Sequence, residues 1–167
     1  MNEIPDQCGQ RAENIYTNRG YCCAESVIVT LNGAFKVGLD ETMAAGMGSG
    51  FCGGMGGAGC VCGGLAGAEI MLGLLLGPRR EGGMAKKAFQ KEVAAVMHDR
   101  FRERFAATCC RVLIKNRKVK GGATCAELTG GAAEIAAALV LERRPELADR
   151  VDHDFLAARD KKAVGKK

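Results

Sequence analysis

The chain has 167 residues, which is long enough for a single domain to bury a core without disulfide or metal staples. Hydrophobic residues make up 47% of it and aromatic residues only 5%, so the core must be aliphatic and alanine-rich, which favours packed helices over a β-sandwich. The net charge of +5 lies mostly in residues 79–120 and at the C-terminal end, with few aromatic residues between the charges, and this pattern disfavours a nucleic-acid-binding protein.

The N-terminal residues contain no basic segment followed by an apolar run, so we expect no secretory signal and a cytoplasmic protein. Residues 42–68 carry no charge and could cross a bilayer by length alone. Most of this stretch is glycine-rich, however, and irregular backbone in lipid would leave amides unsatisfied, so we expect no membrane span. Nine cysteines, an odd number, indicate metal binding or redox chemistry rather than a static set of disulfides.

Hydrophobic periodicity predicts an all-α, single-domain helical bundle of about five to seven helices over residues 1–160, followed by a basic tail over residues 161–167. The longest predicted helix is the fifth, and the tail is expected to fray. In chain order, the predicted helices are Asp6–Asn18, Cys22–Phe35, Glu41–Met47, Gly63–Leu76, Met84–Ile114, Cys125–Leu141 and Glu146–Asp160.

A glycine- and cysteine-rich stretch, residues 46–77, separates the early helices from the later ones. Eight glycines within residues 46–59 predict a long central loop, because glycine adds backbone entropy and supplies no side chain to pack. Cys62 stands where the next helix begins, and free amides at a helix N-terminus are expected to lower the pKa of such a thiol. Gly63 and Gly67 follow at a spacing that lets another backbone approach closely, which would also suit a homodimer.

Three further cysteines lie in the second half of the chain. Cys109 and Cys110 both reach core-facing positions of the helix predicted over residues 84–114, so either could be the functional one. Thr124 and Glu127 have the spacing of a capping box, which places Cys125 at the first position of a helix.

The remaining cysteines and polar residues are interpreted from their neighbours in the sequence. Cys8 lies among polar residues and is expected to be dispensable, whereas Cys23 is turned toward the core. Glu69 is interpreted as a residue at the rim of the site, and His98 and His153 as surface residues. Residues 116–122 are predicted to form a basic loop, a candidate lid.

Four motifs in a fixed order resemble the C_GCAxxG_C_C family, a group for which redox activity has been proposed. The motifs are CAESV at Cys23, the glycine loop ending in CGGLAG at Cys62, C-x-x-L at Cys110, and Cys125 at the start of a late helix. The resemblance covers residues 21–141 and implies a small helical domain with these four signature cysteines. Gly64 replaces the usual alanine, and no C-x-x-C-H motif is present, so covalent haem is not expected.

Two redox functions follow from this set of residues. In the first, a Cys62 thiolate attacks an oxidised substrate, and Cys23, Cys110 or Cys125 resolves the mixed disulfide. The absence of a C-x-x-C motif excludes a thioredoxin-like site. In the second, the same four cysteines hold an iron–sulfur cluster for electron transfer, and amides such as those of Gly63 and Gly64 donate hydrogen bonds to its sulfurs.

Two further interpretations remain open. Four thiolates could also hold zinc, although the paired short spacings typical of structural zinc sites are lacking. The cysteines could alternatively be small core residues of a non-catalytic helical scaffold. The sequence identifies neither a substrate nor a redox partner.

Overall fold

The computed structural model describes residues 3–162, and within that range it contains helices, turns and loops but no β-strand, as the all-α prediction requires. A π turn at Gln90–Ala94 joins the helices Gly83–Phe89 and Ala95–Phe105 into one continuous helix, and 3-10 turns lie at Ser49–Phe51 and Pro145–Arg150. The α-helices are α1 (Glu3–Asn18), α2 (Cys23–Ala34), α3 (Glu41–Gly48), α4 (Cys52–Met55), α5 (Gly63–Leu76), α6 (Gly83–Phe89), α7 (Ala95–Phe105), α8 (Cys110–Lys120), α9 (Cys125–Arg143) and α10 (His153–Ala157). With α6 and α7 counted as one, residues 3–162 form nine helices, which is more than the five to seven predicted.

Four helices, α1, α2, α5 and α9, form the central bundle. α1 packs along α9, α2 packs against α5, and α5 also contacts α9. Their buried side chains are mainly aliphatic, as the composition predicts, and include Val27, Leu72 and Leu139. α7 packs against α9 and adds Met97 and Phe101 to the same core.

Glycines on α5 bring its backbone close to both neighbouring helices, in agreement with the predicted spacing. A Cβ on Gly67 would lie 2.6 Å from the carbonyl oxygen of Ala24 on α2. A Cβ on Gly64 would lie 3.3 Å from the carbonyl oxygen of Leu128 on α9. The small residues nearest the start of α5 are therefore used for packing within the chain.

The prediction of one long helix over residues 84–114 is wrong. The helix ends at Phe105, because Ala106 adopts the left-handed conformation with φ of 64°, and a separate helix, α8, begins at Cys110. Hydrophobic periodicity continued across the break because both helices turn a buried face toward the core, with Leu113 as the buried residue of α8. The predicted basic loop over residues 116–122 is also mostly helical, since α8 continues to Lys120 and is capped by Gly121, whose φ is 65°.

The helix predicted over residues 146–160 is replaced by a 3-10 turn and the short α10. The N–H of Asp152 donates a hydrogen bond to the carbonyl of Ala34, and the Asp152 side chain accepts one from the N–H of Phe155, so a new helix starts there. The larger part of the predicted basic tail, residues 163–167, lies outside the described residues.

The central loop is shorter than predicted. α3 continues to Gly48, and a 3-10 turn and the single turn of α4 follow, so irregular backbone is confined largely to residues 53–62. The predicted N-cap of α3 is present, because the Asp40 carboxylate accepts a hydrogen bond from the N–H of Met43. Within the part of the chain that the structure describes, no helix has both the length and the apolar character needed to cross a bilayer.

Candidate functional site

The four signature cysteines lie at the N-termini of four different helices. Cys23, Cys110 and Cys125 are the first residues of α2, α8 and α9, and Cys62 is the N-cap of α5. The sequence predicted Cys110 near the C-terminal end of a long helix, and the break at residues 106–109 is what moves it to a helix start. Each thiol is therefore next to backbone N–H groups that have no partner within their helix.

The same four cysteines line one small cavity. Its volume is about 20 Å³, which is close to the space that one water molecule needs. The remaining walls are formed by Gly63, Leu113, Ile114 and Leu128. Four segments that are far apart in the sequence thus bring four thiols to one apolar enclosure.

Three of these thiols also face an open cleft of about 550 Å³. Cys23, Cys110 and Cys125 line it together with Tyr16 and Tyr21. Cys62 is only 4% exposed and is not part of the cleft wall. A molecule in the cleft would therefore meet three of the thiols first, with the fourth behind them.

Burial dominates the acidity of Cys62. The pKa of this thiol is raised to about 11, chiefly by burial. Negative charge on the nearby Cys23 and Cys110 contributes to the same increase. The N–H groups of Leu65 and Gly64 donate hydrogen bonds to the sulfur and act in the opposite direction, but they do not compensate for the lost hydration. The amides at the helix start thus act in the predicted direction, but the expected net lowering of the Cys62 pKa is wrong because burial outweighs them.

Two of the cleft-facing thiols are shifted in the same direction. Burial is the main cause of the raised pKa of Cys23, and hydrogen bonds from the N–H groups of Ala24 and Gly53 oppose it. Burial also raises the pKa of Cys110, and the neighbouring Cys23 and Cys125 add to the shift. Burial and mutual repulsion thus oppose the presence of several thiolates in the site at the same time.

Cys125 has the most polar surroundings of the four. The capping box predicted at the start of α9 is present, with the N–H of Glu127 donating to Thr124 Oγ1 at 3.2 Å and the N–H of Thr124 donating to Glu127 Oε2 at 2.7 Å. Arg117 Nη1 donates a hydrogen bond to Cys125 Sγ at 3.3 Å. The pKa of the adjacent Tyr16 is raised, chiefly by burial and then by Cys125 and Cys23. Among residues 3–162, Cys125 is thus the one of the four thiols that receives a hydrogen bond from a cationic side chain.

The geometry distinguishes Cys109 from Cys110. Cys109 Sγ donates to the carbonyl oxygen of Gly59 at 3.0 Å, and its backbone pairs with Val61 in an isolated antiparallel bridge. Cys110 instead lines both the cavity and the cleft. Gly54 packs against it so closely that a Cβ there would lie 2.6 Å from the Cys110 Cβ, which explains why this turn needs glycine.

Cys22 and Cys52, which are not among the four signature cysteines, form a disulfide bond that the sequence did not indicate. Their Cα atoms are 5.7 Å apart although 30 positions separate them in the sequence. Only the folding of the glycine-rich segment back onto the start of α2 brings them together. No local spacing pattern could have revealed this pair.

The four-cysteine site does not have the geometry of a single bound metal ion. Tetrahedral zinc with Zn–S bonds of about 2.3 Å holds its sulfurs about 3.8 Å apart. Among residues 3–162, the one group of three or more candidate ligand atoms that all lie within 4.8 Å of one another is formed by Cys22, Glu25 and Cys52. The zinc alternative is therefore not supported at the four-cysteine site as it stands.

The remaining polar candidates lie away from the cysteines. His98 pairs with Asp99 at 3.1 Å, and His153 is exposed, in agreement with their assignment to the surface. Glu69, interpreted as a rim residue, is half-buried and does not line the cysteine cavity, and burial raises its pKa to about 7.

The fold and the site define an all-α protein with a partly buried four-cysteine centre at convergent helix starts. The family model described as "Putative redox-active protein (C_GCAxxG_C_C)" matches residues 21–139, and the chain belongs to this family. The matched region contains all four cysteines of the centre. Neither the curated proteins nor the solved structures contain a significant match to the chain.

Proposed function

We propose that Cys23, Cys62, Cys110 and Cys125 act together as one redox centre that takes up and passes on electrons. The observation that carries this proposal is that four thiols from four separate helix N-termini line a single cavity. A non-catalytic scaffold has no need for this convergence, because any small apolar side chain could fill such positions.

The donor set suits an iron–sulfur cluster in number and in surroundings. Such a cluster binds four thiolates and supplies one-electron transfer when it is present. Backbone N–H groups already donate to Cys62 and Cys23, as is typical of cluster-bound sulfurs. A bound cation would offset the repulsion between thiolates, which is a secondary cause of the raised pKa values of these three thiols.

A cavity of about 20 Å³ does not hold a cluster without rearrangement. The cysteine side chains would have to move apart, toward the open cleft. α8, which carries Cys110, is the element best able to follow, because its main contact with another helix is with the single turn of α4.

Thiol–disulfide exchange is a second candidate, favoured by the open cleft and by the hydrogen bond from Arg117 to Cys125. In this case Cys125, rather than Cys62, is the attacking thiol. Its thiolate forms a bond to one sulfur of an oxidised substrate, the substrate disulfide breaks, and the leaving sulfur takes up a proton. Cys23 or Cys110, which share the cleft, then attacks the mixed disulfide and releases the second substrate thiol.

The experiment that tests the proposal is the measurement of iron and acid-labile sulfide, with a visible spectrum, on protein purified without oxygen. Stoichiometric iron and sulfide that are lost in Cys62→Ser support the cluster. The matched control is Cys60→Ser, which changes an exposed cysteine two positions away and should leave the cluster intact.

Metal-free, colourless protein would point instead to thiol exchange. The rate of reduction of a model disulfide should then fall strongly in Cys125→Ser and remain unchanged in Cys60→Ser. Full retention of both the cofactor content and the exchange activity in Cys62→Ser and Cys125→Ser would contradict the four-cysteine centre.

We also propose that the protein is cytoplasmic and that it exchanges electrons with a redox partner. A homodimer would have to use the far part of α5, around Gly73, because Gly64 and Gly67 are already packed against α9 and α2. Sedimentation of the purified protein over a range of concentrations tests this point.

A further inference from the structure

We propose that the Cys22–Cys52 disulfide is a second redox site, which exchanges electrons with a dithiol that docks in the open cleft. This site is distinct from the four-cysteine centre, and the inference does not depend on the function proposed for that centre. It rests on the access to the disulfide, on a carboxylate held beside it, and on the backbone that surrounds it.

The disulfide is accessible from the cleft. Cys22 lines the cleft of about 550 Å³ next to Tyr21, Cys23 and Gly53. Both cysteines of the bond are partly exposed, whereas Cys62 of the inner centre is almost completely buried. An incoming thiolate can therefore reach Cys22 Sγ without opening the helical bundle.

A carboxylate is fixed beside the two sulfurs. Glu25 Oε2 accepts a hydrogen bond from the N–H of Cys22 at 2.9 Å, and Glu25 Oε1 accepts one from Ser49 Oγ at 2.7 Å. A carboxylate oxygen and the two sulfur atoms of Cys22 and Cys52 lie within 4.8 Å of one another. A carboxylate held at this distance can accept the proton of an incoming thiol and return it to the leaving sulfur.

The surrounding backbone can tolerate the opening of the bond. Cys52 begins a single helical turn, and the segment after it is rich in glycines with positive φ, namely Gly53, Gly54, Gly56, Gly57 and Gly59. On the other side, Cys22 is the N-cap of the 12-residue α2. The core of the bundle does not depend on the position of either sulfur, so the fold can persist in both redox states.

The exchange balances as a transfer of two electrons. The first thiolate of the partner forms a bond to Cys22 Sγ, the bond between Cys22 and Cys52 breaks, and Cys52 Sγ leaves with the electron pair and takes up a proton by way of Glu25. The second thiol of the partner loses its proton and attacks the partner's own sulfur in the mixed disulfide, and Cys22 Sγ leaves with the electron pair of the broken bond and takes up that proton. The partner is oxidised from dithiol to disulfide, and the Cys22–Cys52 disulfide is reduced to two thiols.

The test uses the full chain, purified without reductant and alkylated under native and denaturing conditions. We expect seven alkylatable cysteines of nine in denaturant, because two of them are linked. Mass spectrometry of a non-reduced tryptic digest should show the peptide of residues 20–36 linked to that of residues 37–79. Because these peptides also carry Cys23 and Cys62 of the four-cysteine centre, the link should be lost in Cys22→Ala and kept in Cys23→Ala. The absence of this linked peptide would overturn the proposal.

The second measurement is the rate at which dithiothreitol reduces the disulfide in the folded protein. We expect reduction within minutes with unchanged far-ultraviolet circular dichroism, and restoration of the linked peptide by oxidised dithiothreitol. Reduction that occurs only after the protein is denatured would mean that the bond is a structural staple and would overturn the proposal.

Two variants examine the role of the surroundings. Glu25→Gln keeps an acceptor for the N–H of Cys22 but cannot carry a proton, so the exchange rate at neutral pH should fall by about tenfold or more and its pH profile should change. Cys60→Ala, which removes an exposed unpaired cysteine from the same segment, is the matched control and should exchange at the wild-type rate. An unchanged rate and pH profile in Glu25→Gln would overturn the role of the carboxylate.

Discussion

Burial outweighs helix position in setting the chemistry of the individual cysteines. Cys62 has the position that commonly activates a thiol, an N-cap with two N–H donors, and yet its pKa rises to about 11. The reason is that two hydrogen bonds to a thiolate do not replace the hydration that it loses in an apolar enclosure. A buried thiol with a raised pKa is a poor free nucleophile at neutral pH, which is the reason that Cys125 rather than Cys62 is proposed as the attacking thiol.

Cys8 shows the same effect in the core. It was expected to be dispensable, but it is completely buried on one face of α1 with Ala12 and Ile15, and burial raises its pKa to about 12. Cys8→Ser should destabilise the protein by about 1–3 kcal/mol, because a hydroxyl enters an apolar site, and it should do so by more than Cys8→Ala. Urea unfolding measures both free energies of unfolding. A serine variant as stable as the alanine variant would contradict this account.

Glu69 should make stability depend on pH. Its folded pKa of about 7 lies above the ordinary value of 4.5, so between these values the folded state holds a proton that the unfolded state has lost. The stabilising contribution is therefore complete below about pH 4.5 and is lost as the pH rises through about 7. Glu69→Gln should flatten this dependence and raise the free energy of unfolding at pH 8 by about 1–2 kcal/mol. The prediction would be contradicted if urea unfolding showed the same dependence of the free energy of unfolding on pH for the wild type and for Glu69→Gln.

At the scale of elements, glycines decide how closely the helices approach. Gly67 and Gly73 both lie on α5, but a Cβ on Gly67 would meet the backbone of Ala24, whereas a Cβ on Gly73 would meet no atom within 4 Å. Close approach of α2 and α5 places Cys23 against the start of α5, where a Cβ on Gly63 would overlap Cys23 Sγ. The geometry of the cysteine centre thus depends on helix packing as well as on the cysteines.

The difference in packing between Gly67 and Gly73 can be tested by replacing each of them with alanine. Gly67→Ala should lower the free energy of unfolding by about 1–3 kcal/mol, because α2 must shift, and it should weaken cofactor binding or exchange at the centre. Gly73→Ala is the matched control and should stabilise the protein by about 0.5–1 kcal/mol, since alanine favours the helix. Thermal unfolding of the two variants provides the comparison, and equal effects would argue against the close approach.

At the scale of the whole molecule, the Cys22–Cys52 disulfide joins the start of α2 to the segment before α5 and closes a stretch of 30 residues. A link of this length reduces the conformational entropy of the unfolded chain and should contribute about 3 kcal/mol of stability. We expect the free energy of unfolding in urea to fall by about that amount when a phosphine reductant is added. The double variant Cys22→Ala/Cys52→Ala should be insensitive to the reductant, and a wild type that is equally insensitive would show that the bond does not form.

Local features were predictable because local physics determines them. The all-α class follows from composition and periodicity, and the N-caps at Asp40 and Thr124 follow from the few residues around each helix start. The position of Cys125 at a helix start is correct for the same reason. The break at Ala106 was missed because its left-handed conformation is unusual for alanine and has no signal in the sequence.

The amino-acid sequence alone thus determines the helical class, most helix starts and the set of cysteines that the family signature marks. Only the tertiary structure decides that four helix starts meet at one cavity, that Cys110 rather than Cys109 faces it, and that Cys22 pairs with Cys52. The physical reason is that burial, thiol acidity and disulfide pairing depend on contacts between residues that are far apart in the chain, and such contacts exist only once the helices have packed.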